Sequence, residues 1–383
     1  ARGVTPFMVM EVLERARELE ARGRSIIHME VGEPDFPTPG FVVEAMRRAL
    51  GAGDSFGYAH SLGDPELREA LARHFRRRYG IEISPERFLV CPGTSAGMSL
   101  LFGALLEPGD KVILSDPCYS CYPNFVRFHG GVPVFLRVHE RDGFRLDPDE
   151  LRRLLRKERG VKALVINSPA NPTGAVLGPD RLKAIAEAGV FIVSDEIYHG
   201  LSYQDERDHT ILEYTDRCAV VGGLSKSWAM TGWRVGHLAL PQELARPLQT
   251  LAQNFVISVN SAVQKAAIAA LEEGWQEVER MREIYDSRRK LLLEGLRRLG
   301  LKVMADPAGA FYILARADHV NPDSKALVFE LLEEAGVGCV PGREFGAGAE
   351  GFLRFSYAVG SGGIEEALLR LEGFLDRRGK LPS

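Results

Sequence analysis

Apolar positions change their spacing along this chain, and the changes mark its elements. Residues 9–22 carry apolar side chains at helical intervals, and residues 26–31 read as a short strand. The following Gly32-Glu33-Pro34-Asp35-Phe36-Pro37-Thr38-Pro39 is marked as a loop by its Gly and Pro. Helices are expected over residues 41–51 and 64–79. Short apolar runs then recur at 88–91, 111–114, 132–136, 163–166, 190–193, 219–221 and 235–240, each followed by a helical pattern. Runs of this length alternating with helices predict an α/β fold, with a mostly parallel seven-stranded sheet between helices. Past residue 278 the texture changes. A long charged helix (278–299), a strand (310–314), a helix (324–335), strands at 337–340 and 352–356 and a last helix (364–377) are expected. The resulting division is a large domain over 40–277 and a smaller α+β domain built from both chain ends, 1–39 and 278–383.

Composition narrows the class. The chain has 383 residues, 45% apolar and 26% charged, which is globular composition with length enough for a sizeable core. Lys and Arg number 48 against 52 Asp and Glu, so the net charge of −4 leaves no electrostatic footprint for nucleic acid or an anionic membrane. The arginines at 73, 76, 77 and 78 read as a solvated helix face. No apolar run has the length of a membrane span, and the first residues lack the layout of a secretory signal. Five cysteines, an odd number without paired spacing, argue against a disulfide framework, and the cytoplasm is the expected compartment. Cys118 and Cys121 form a C-x-x-C with no second half nearby, so they read as two thiols in a loop and the helix after it. The nine histidines show no metal spacing, and no metal site is expected.

Candidate chemistry lies where each apolar run ends, because an open parallel sheet binds ligands outside the carboxyl ends of its strands. The runs are followed by Gly93-Thr94-Ser95, by Ser115-Asp116-Pro117-Cys118-Tyr119, by Asn171-Pro172-Thr173-Gly174, by Asp195-Glu196-Ile197-Tyr198 and by Ser225-Lys226. One edge would then hold an amine, a carboxylate, phenols, an amide and a Gly-Thr-Ser turn. These groups suit pyridoxal 5'-phosphate (PLP). Lys226 can form a Schiff base with its aldehyde. Asp195 can keep its ring nitrogen protonated, and Tyr198 and Asn171 can share its ring oxygen. Tyr119 can stack on the ring. The Gly93-Thr94-Ser95 turn opens a helix expected over 96–106 and offers N–H groups to the phosphate, with Arg234 as a bidentate clamp. Taken singly, each residue reads equally well as a cap, a turn or a surface lysine. Their joint placement behind successive runs carries the assignment.

These residues resemble the class I/II aminotransferases, PLP enzymes of fold type I that include aspartate aminotransferase. Ser225-Lys226 followed by Gly232-Trp233-Arg234-Val235-Gly236 is similar to the family's lysine signature, and the Asn171 and Asp195 segments to two further hallmarks. Gly57-Tyr58 resembles a stretch whose Tyr reaches the phosphate of a neighbouring subunit. Phe352-Leu353-Arg354-Phe355-Ser356 resembles the segment whose Arg pairs with the substrate α-carboxylate, and Val31-Gly32-Glu33-Pro34-Asp35 the loop that closes over substrate. Two departures stand out. Gly223 replaces a Ser found in some members three residues before the lysine, and Thr94 stands where small residues are common.

The resemblance implies ping-pong transamination between an L-amino acid and a 2-oxo acid, with Lys226 as general acid–base. It implies a substrate carboxylate held by Arg354, Asn171 and the Gly32 backbone, and a homodimer sharing sites through Tyr58. The substrate's side chain is not legible: Phe7, Phe36, Tyr122 and Phe255 fit an apolar pocket or plain core alike. Two alternatives stay open, a PLP-dependent lyase or decarboxylase (a C–S lyase, for example) on the same fold and a non-catalytic PLP-binding regulator. The regulator would carry a DNA-binding domain, which is not expected ahead of Val9. A nicotinamide enzyme fits worse, since no G-x-G-x-x-G follows an early strand.

Overall fold

The computed structural model describes residues 3–52, 57–203 and 207–382. Its strands are β1 (Ile27–His28), β2 (Phe88–Cys91), β3 (Lys111–Asp116), β4 (Val132–Arg137), β5 (Val161–Asn167), β6 (Phe191–Asp195), β7 (Cys218–Gly223), β8 (Gly236–Ala239), β9 (Tyr312–Arg316), β10 (Val337–Gly338), β11 (Val340–Pro341) and β12 (Phe352–Ser356). Its α-helices are α1 (Met8–Ala21), α2 (Gly40–Gly51), α3 (Pro65–Tyr79), α4 (Thr94–Leu105), α5 (Cys121–Phe128), α6 (Pro148–Lys157), α7 (Pro179–Ala186), α8 (Gln242–Phe255), α9 (Ser261–Glu273), α10 (Trp275–Arg298), α11 (Ser324–Glu330) and α12 (Ser361–Arg377). Local chemistry sets many of these ends. On α3, for example, the Asp64 carboxylate accepts from the Glu66 N–H at 3.0 Å, Pro65 opens the first turn, and Gly80 ends the helix at φ 74°.

Seven strands form one sheet in the order β2-β8-β7-β6-β5-β3-β4. Only β8 runs antiparallel to its neighbours; the β3–β7 pairings are all parallel. Alternate residues of the strands enter two different cores. On β5, Leu164 and Ile166 pack with Leu67, Leu182 and Ala266 of α3, α7 and α9. Ala163 and Val165 pack on the other face with Met98, Val126 and Leu248 of α4, α5 and α8. Burial on both faces is why the runs are continuously apolar. A third core joins Val12, Ala16 and Leu19 of α1 to Leu292 of α10, Ile313 of β9 and Leu371 of α12. Around it, β11-β12-β9 form a small antiparallel sheet and β1 pairs with β10 in parallel.

The structure departs from several of these expectations. Among the described residues, neither the run at 190–193 nor that at 219–221 has an α-helix after it. Only a 3-10 turn at Ile211–Glu213 follows the first, and after the second the chain turns through residues 224–235 and returns as antiparallel β8, which keeps Ser225, Lys226 and Arg234 in one tight loop. The strand expected at 26–31 shrinks to Ile27–His28, because only this pair meets a partner. The strand expected at 337–340 splits, Val337–Gly338 pairing with β1 and Val340–Pro341 with β12. Helix α8 follows the run at 235–240 as expected, whereas α9 lies outside the sequence-based expectations, although the Asn260 side chain caps it by accepting from the Val263 N–H at 3.1 Å. Helix α4 starts at Thr94, two residues earlier than expected, so Thr94 and Ser95 lie in its first turn.

Candidate active site

The chain leaves β3 toward β4 on one side and continues from β5 through β6 to β7 on the other, so the sheet has a switch point between β3 and β5. Ligand sites form at such a point, outside the carboxyl ends. A cavity of about 320 Å³ opens there, lined by Ser225 and Lys226 after β7, Asp195 at the end of β6, Asn167 at the end of β5 and Tyr119 after β3. Asn167 and Asp195 are direct neighbours in register. The Asn167 amide donates to the Asp195 carbonyl at 2.9 Å and its oxygen accepts from the Asn171 N–H at 2.8 Å, which fixes the Asn171 turn to the sheet edge.

Lys226 donates its Nζ hydrogen to the Gly32 carbonyl at 2.5 Å. The side chain is half-buried by surface area, but protein atoms wall in the amine itself, and this burial lowers its pKa to about 8. Glu33 and Asp195 oppose that shift, while Arg354 and Arg234 add to it. Gly32 can approach because it has no side chain: a methyl there would overlap the Tyr312 hydroxyl. Asp195 is buried, and burial raises its carboxyl to about 6. The Tyr122 hydroxyl, donating to Asp195 Oδ2 at 2.7 Å, and the Ile197 N–H at 3.2 Å pull the other way. Burial also holds the Tyr198 phenol proton in place, and its oxygen lies 3.0 Å from that of Tyr312.

The anion seat lies at the start of α4. Gly93 precedes the helix at φ 85°, and a methyl there would overlap the Arg234 guanidinium. Thr94, Ser95 and Arg234 all line the cavity, and Arg234 donates one Nη1 hydrogen to the Thr231 carbonyl at 2.9 Å, leaving the rest of its fork exposed. Helix-start N–H groups beside a guanidinium suit a phosphate. Arg354 donates to Asn171 Oδ1 at 3.0 Å and to the Glu30 carbonyl at 2.6 Å, and its guanidinium lies 4.4 Å over the Tyr312 ring.

The sequence-derived residues Gly32, Thr94, Ser95, Tyr119, Asn171, Asp195, Tyr198, Ser225, Lys226, Arg234 and Arg354 thus share one cavity, with Gly93 directly behind it. Tyr58 does not line it: the side chain is 85% exposed. Of the four aromatic residues left open, Phe7 and Tyr122 line the cavity, Phe36 packs on Tyr285 and Phe255 is exposed. Sequence reasoning did not find the roles of Tyr122, Asn167, Tyr312 and Glu30. Asn167 alone carried a signal, as the polar residue ending an apolar run. Cys118 and Cys121 carry free thiols, and burial raises the pKa of both. Among the described residues no cluster of metal-ligating side chains occurs, and no helix is long and apolar enough to cross a membrane.

Amine, buried acid and the anion seat cradled by Gly93 around one cavity fit PLP, with Lys226, Asp195 and the Thr94–Ser95–Arg234 group to hold it. Comparison with known proteins agrees. Residues 24–371 match the family model for aminotransferase class I and II. The chain is 41% identical over 379 residues to an aspartate/prephenate aminotransferase of Thermus thermophilus, covering 97% of each. It is 38% identical over 380 residues to a valine–pyruvate aminotransferase of Mycobacterium tuberculosis, again covering 97% of each. A Thermus thermophilus aspartate aminotransferase solved with maleate superposes with a TM-score of 0.92 at 40% identity, over 97% of both chains. Neither the lyase nor the regulator alternative is favoured by these matches. The chain belongs to the class I and II aminotransferases, PLP-dependent enzymes that exchange an amino group between an amino acid and a 2-oxo acid.

Proposed function

We propose that Lys226 is the residue that holds the cofactor and moves the substrate's Cα proton, and that the enzyme works by ping-pong in two half-reactions. The observation that carries this is a walled-in amine with a pKa of about 8 in the same cavity as a buried carboxylate and two arginines. PLP, when bound, supplies an electron sink that acidifies the substrate's Cα–H. An amine near neutrality in proton affinity takes a proton and returns it, which is the requirement for general acid–base work at physiological pH. Asp195, held by Tyr122, would stabilise a proton on the cofactor's ring nitrogen, and Tyr198 and Asn171 would serve its ring oxygen. Gly93, Thr94, Ser95, Ser225 and Arg234 would hold the phosphate, and Tyr119 would stack on the ring. Arg354 fixes the substrate's α-carboxylate by paired hydrogen bonds, with Asn171 and the Gly32 backbone beside it. Lys226→Ala is expected to lose at least about 10³-fold in turnover. A native circular-dichroism spectrum would accompany that loss, and undiminished turnover would remove Lys226 from the role.

We further propose a large domain over 40–277 and a small one from 1–39 with 278–383, in keeping with the core that joins α1 to α10 and α12. A homodimer in which Tyr58 reaches the neighbouring subunit's phosphate suits that residue's exposure. The cytoplasm, a reducing compartment, suits the five free thiols; cell fractionation checks it.

A further inference from the structure

The charges on the cavity wall bear on which side chain a substrate can carry. On the transaminase reading, on which the inference rests, the three cations lining the cavity are all engaged: Lys226 with the reacting centre, Arg234 with phosphate and Arg354 with the α-carboxylate. Among the described lining residues there is no further Lys, Arg or His. The lining does hold a second acid besides Asp195. Glu33 accepts a hydrogen bond from the Thr231 hydroxyl and lies close enough to Lys226 to raise its proton affinity.

Lining residues that neither cofactor nor α-carboxylate engages include Phe7, Val9 and Val31, three apolar side chains from the N-terminal segment. The segment is tied down on both sides of Phe7. The Thr5 N–H donates to Asn124 Oδ1 at 3.1 Å, and the Met8 N–H donates to Glu344 Oε2 at 2.9 Å. Phe7 meets the Tyr119 ring edge-on at 6.5 Å. A carboxylate pushed against this wall would lose hydration, meet no further cation among its own subunit's described lining residues and share the cavity with Glu33. An aliphatic or aromatic side chain would instead bury apolar surface there.

We infer that this enzyme prefers L-amino acids with apolar side chains and discriminates against aspartate and glutamate, with Phe7, Val9 and Val31 setting the preference. It would then differ from the Thermus relative named for aspartate. Specificity here combines an attractive apolar wall with a repulsive acid.

The test uses the PLP-loaded enzyme and follows cofactor absorbance in single turnovers with L-leucine, L-phenylalanine, L-aspartate and L-glutamate. Leucine and phenylalanine are expected to exceed both acids at least tenfold in rate over dissociation constant. Equilibrium binding of unreactive analogues gives a readout independent of turnover: hydrocinnamate is expected to bind at least tenfold tighter than maleate or succinate. Val9→Arg should raise the aspartate-to-phenylalanine ratio at least tenfold by placing a cation on the apolar wall. Acidic substrates equalling or surpassing the apolar ones, or maleate binding as tightly as hydrocinnamate, would overturn the inference and leave the transaminase reading standing. Conversion with none of the four would overturn the inference; conversion with none of the twenty amino acids would overturn the transaminase reading as well.

Discussion

Burial acts on Lys226 and Asp195 in the same way chemically, since it disfavours the charged form of each, and so moves their pKa values toward one another: about 8 for the amine and about 6 for the acid. The sign for Lys226 is a loss of proton affinity, so its neutral, nucleophilic form is expected to grow in as pH rises through about 8. Labelling of Lys226 in the cofactor-free protein by an amine-selective reagent, quantified by peptide mapping, should show that midpoint. A midpoint near the ordinary 10.5 would contradict the environment described. For Asp195, the Tyr122 hydroxyl is among the groups that hold the carboxyl down. Tyr122→Phe should therefore raise its pKa further and shift the acid limb of the kcat profile upward. Loss of one hydrogen bond to a buried charge costs about 1–3 kcal/mol, so a fall of roughly tenfold in kcat at neutral pH is expected. An unmoved acid limb would detach Tyr122 from the site.

Helix α4 and the short strand β1 show how secondary structure carries these residues. The anion seat depends on Gly93, whose positive φ and lack of a Cβ let the Arg234 guanidinium lie against the first turn of α4. Gly93→Ala combines backbone strain with a steric overlap; such strain costs about 1–3 kcal/mol. Its expected effect is a cofactor dissociation constant raised at least about tenfold, measurable by fluorescence titration. On β1, protonated His28 donates its Nδ1–H to the buried Glu30 carboxylate at 2.6 Å, and that pairing raises its pKa to about 9. The folded value lies above the unfolded 6.5, so the stabilisation is complete below pH 6.5 and disappears as pH rises through about 9. Urea denaturation of wild type and His28→Gln should diverge most below pH 6.5 and converge above about pH 10. A pH-independent gap would show that the pair contributes through packing alone.

Among the described residues four cores form: one on each face of the large sheet, one where the chain's two ends meet, and a smaller one of Leu314, Val340, Phe345, Ala349 and Phe352. The candidate active-site cavity draws its wall from distant parts of the chain: Phe7 and Gly32 from the N-terminal segment, Asp195 and Lys226 from the sheet edge, Arg354 from β12. Tyr58 stays outside it and exposed, which is the placement a residue serving a second subunit needs. Sedimentation equilibrium is expected to give a dimer. Co-purified mixed dimers of Lys226→Ala and Tyr58→Ala subunits should regain one intact site, and so exceed the mean activity of the two parent variants. Activity no greater than that mean would place Tyr58 in its own subunit's chemistry or in none.

Much of this was legible from residue order. Burial of a strand on both faces writes itself into consecutive residues, so the seven runs and the polar groups behind them could be read off, as could Lys226, Asp195 and the Gly93 turn. Those are short-range properties: the last residue of a strand and the first residues of the next loop are neighbours in the chain. Contacts closed over long separations left no such trace. The Tyr122–Asp195, Tyr198–Tyr312 and Glu30–Arg354 pairs span 73, 114 and 324 residues. No local spacing specifies them, because each depends on which strands and helices become neighbours in space. The same holds for antiparallel β8, whose direction is set by its place between β7 and β2. Residue types and strand ends thus established the chemistry this chain can perform. Packing of distant segments decided the pKa values at which its groups operate and the apolar wall its substrate meets.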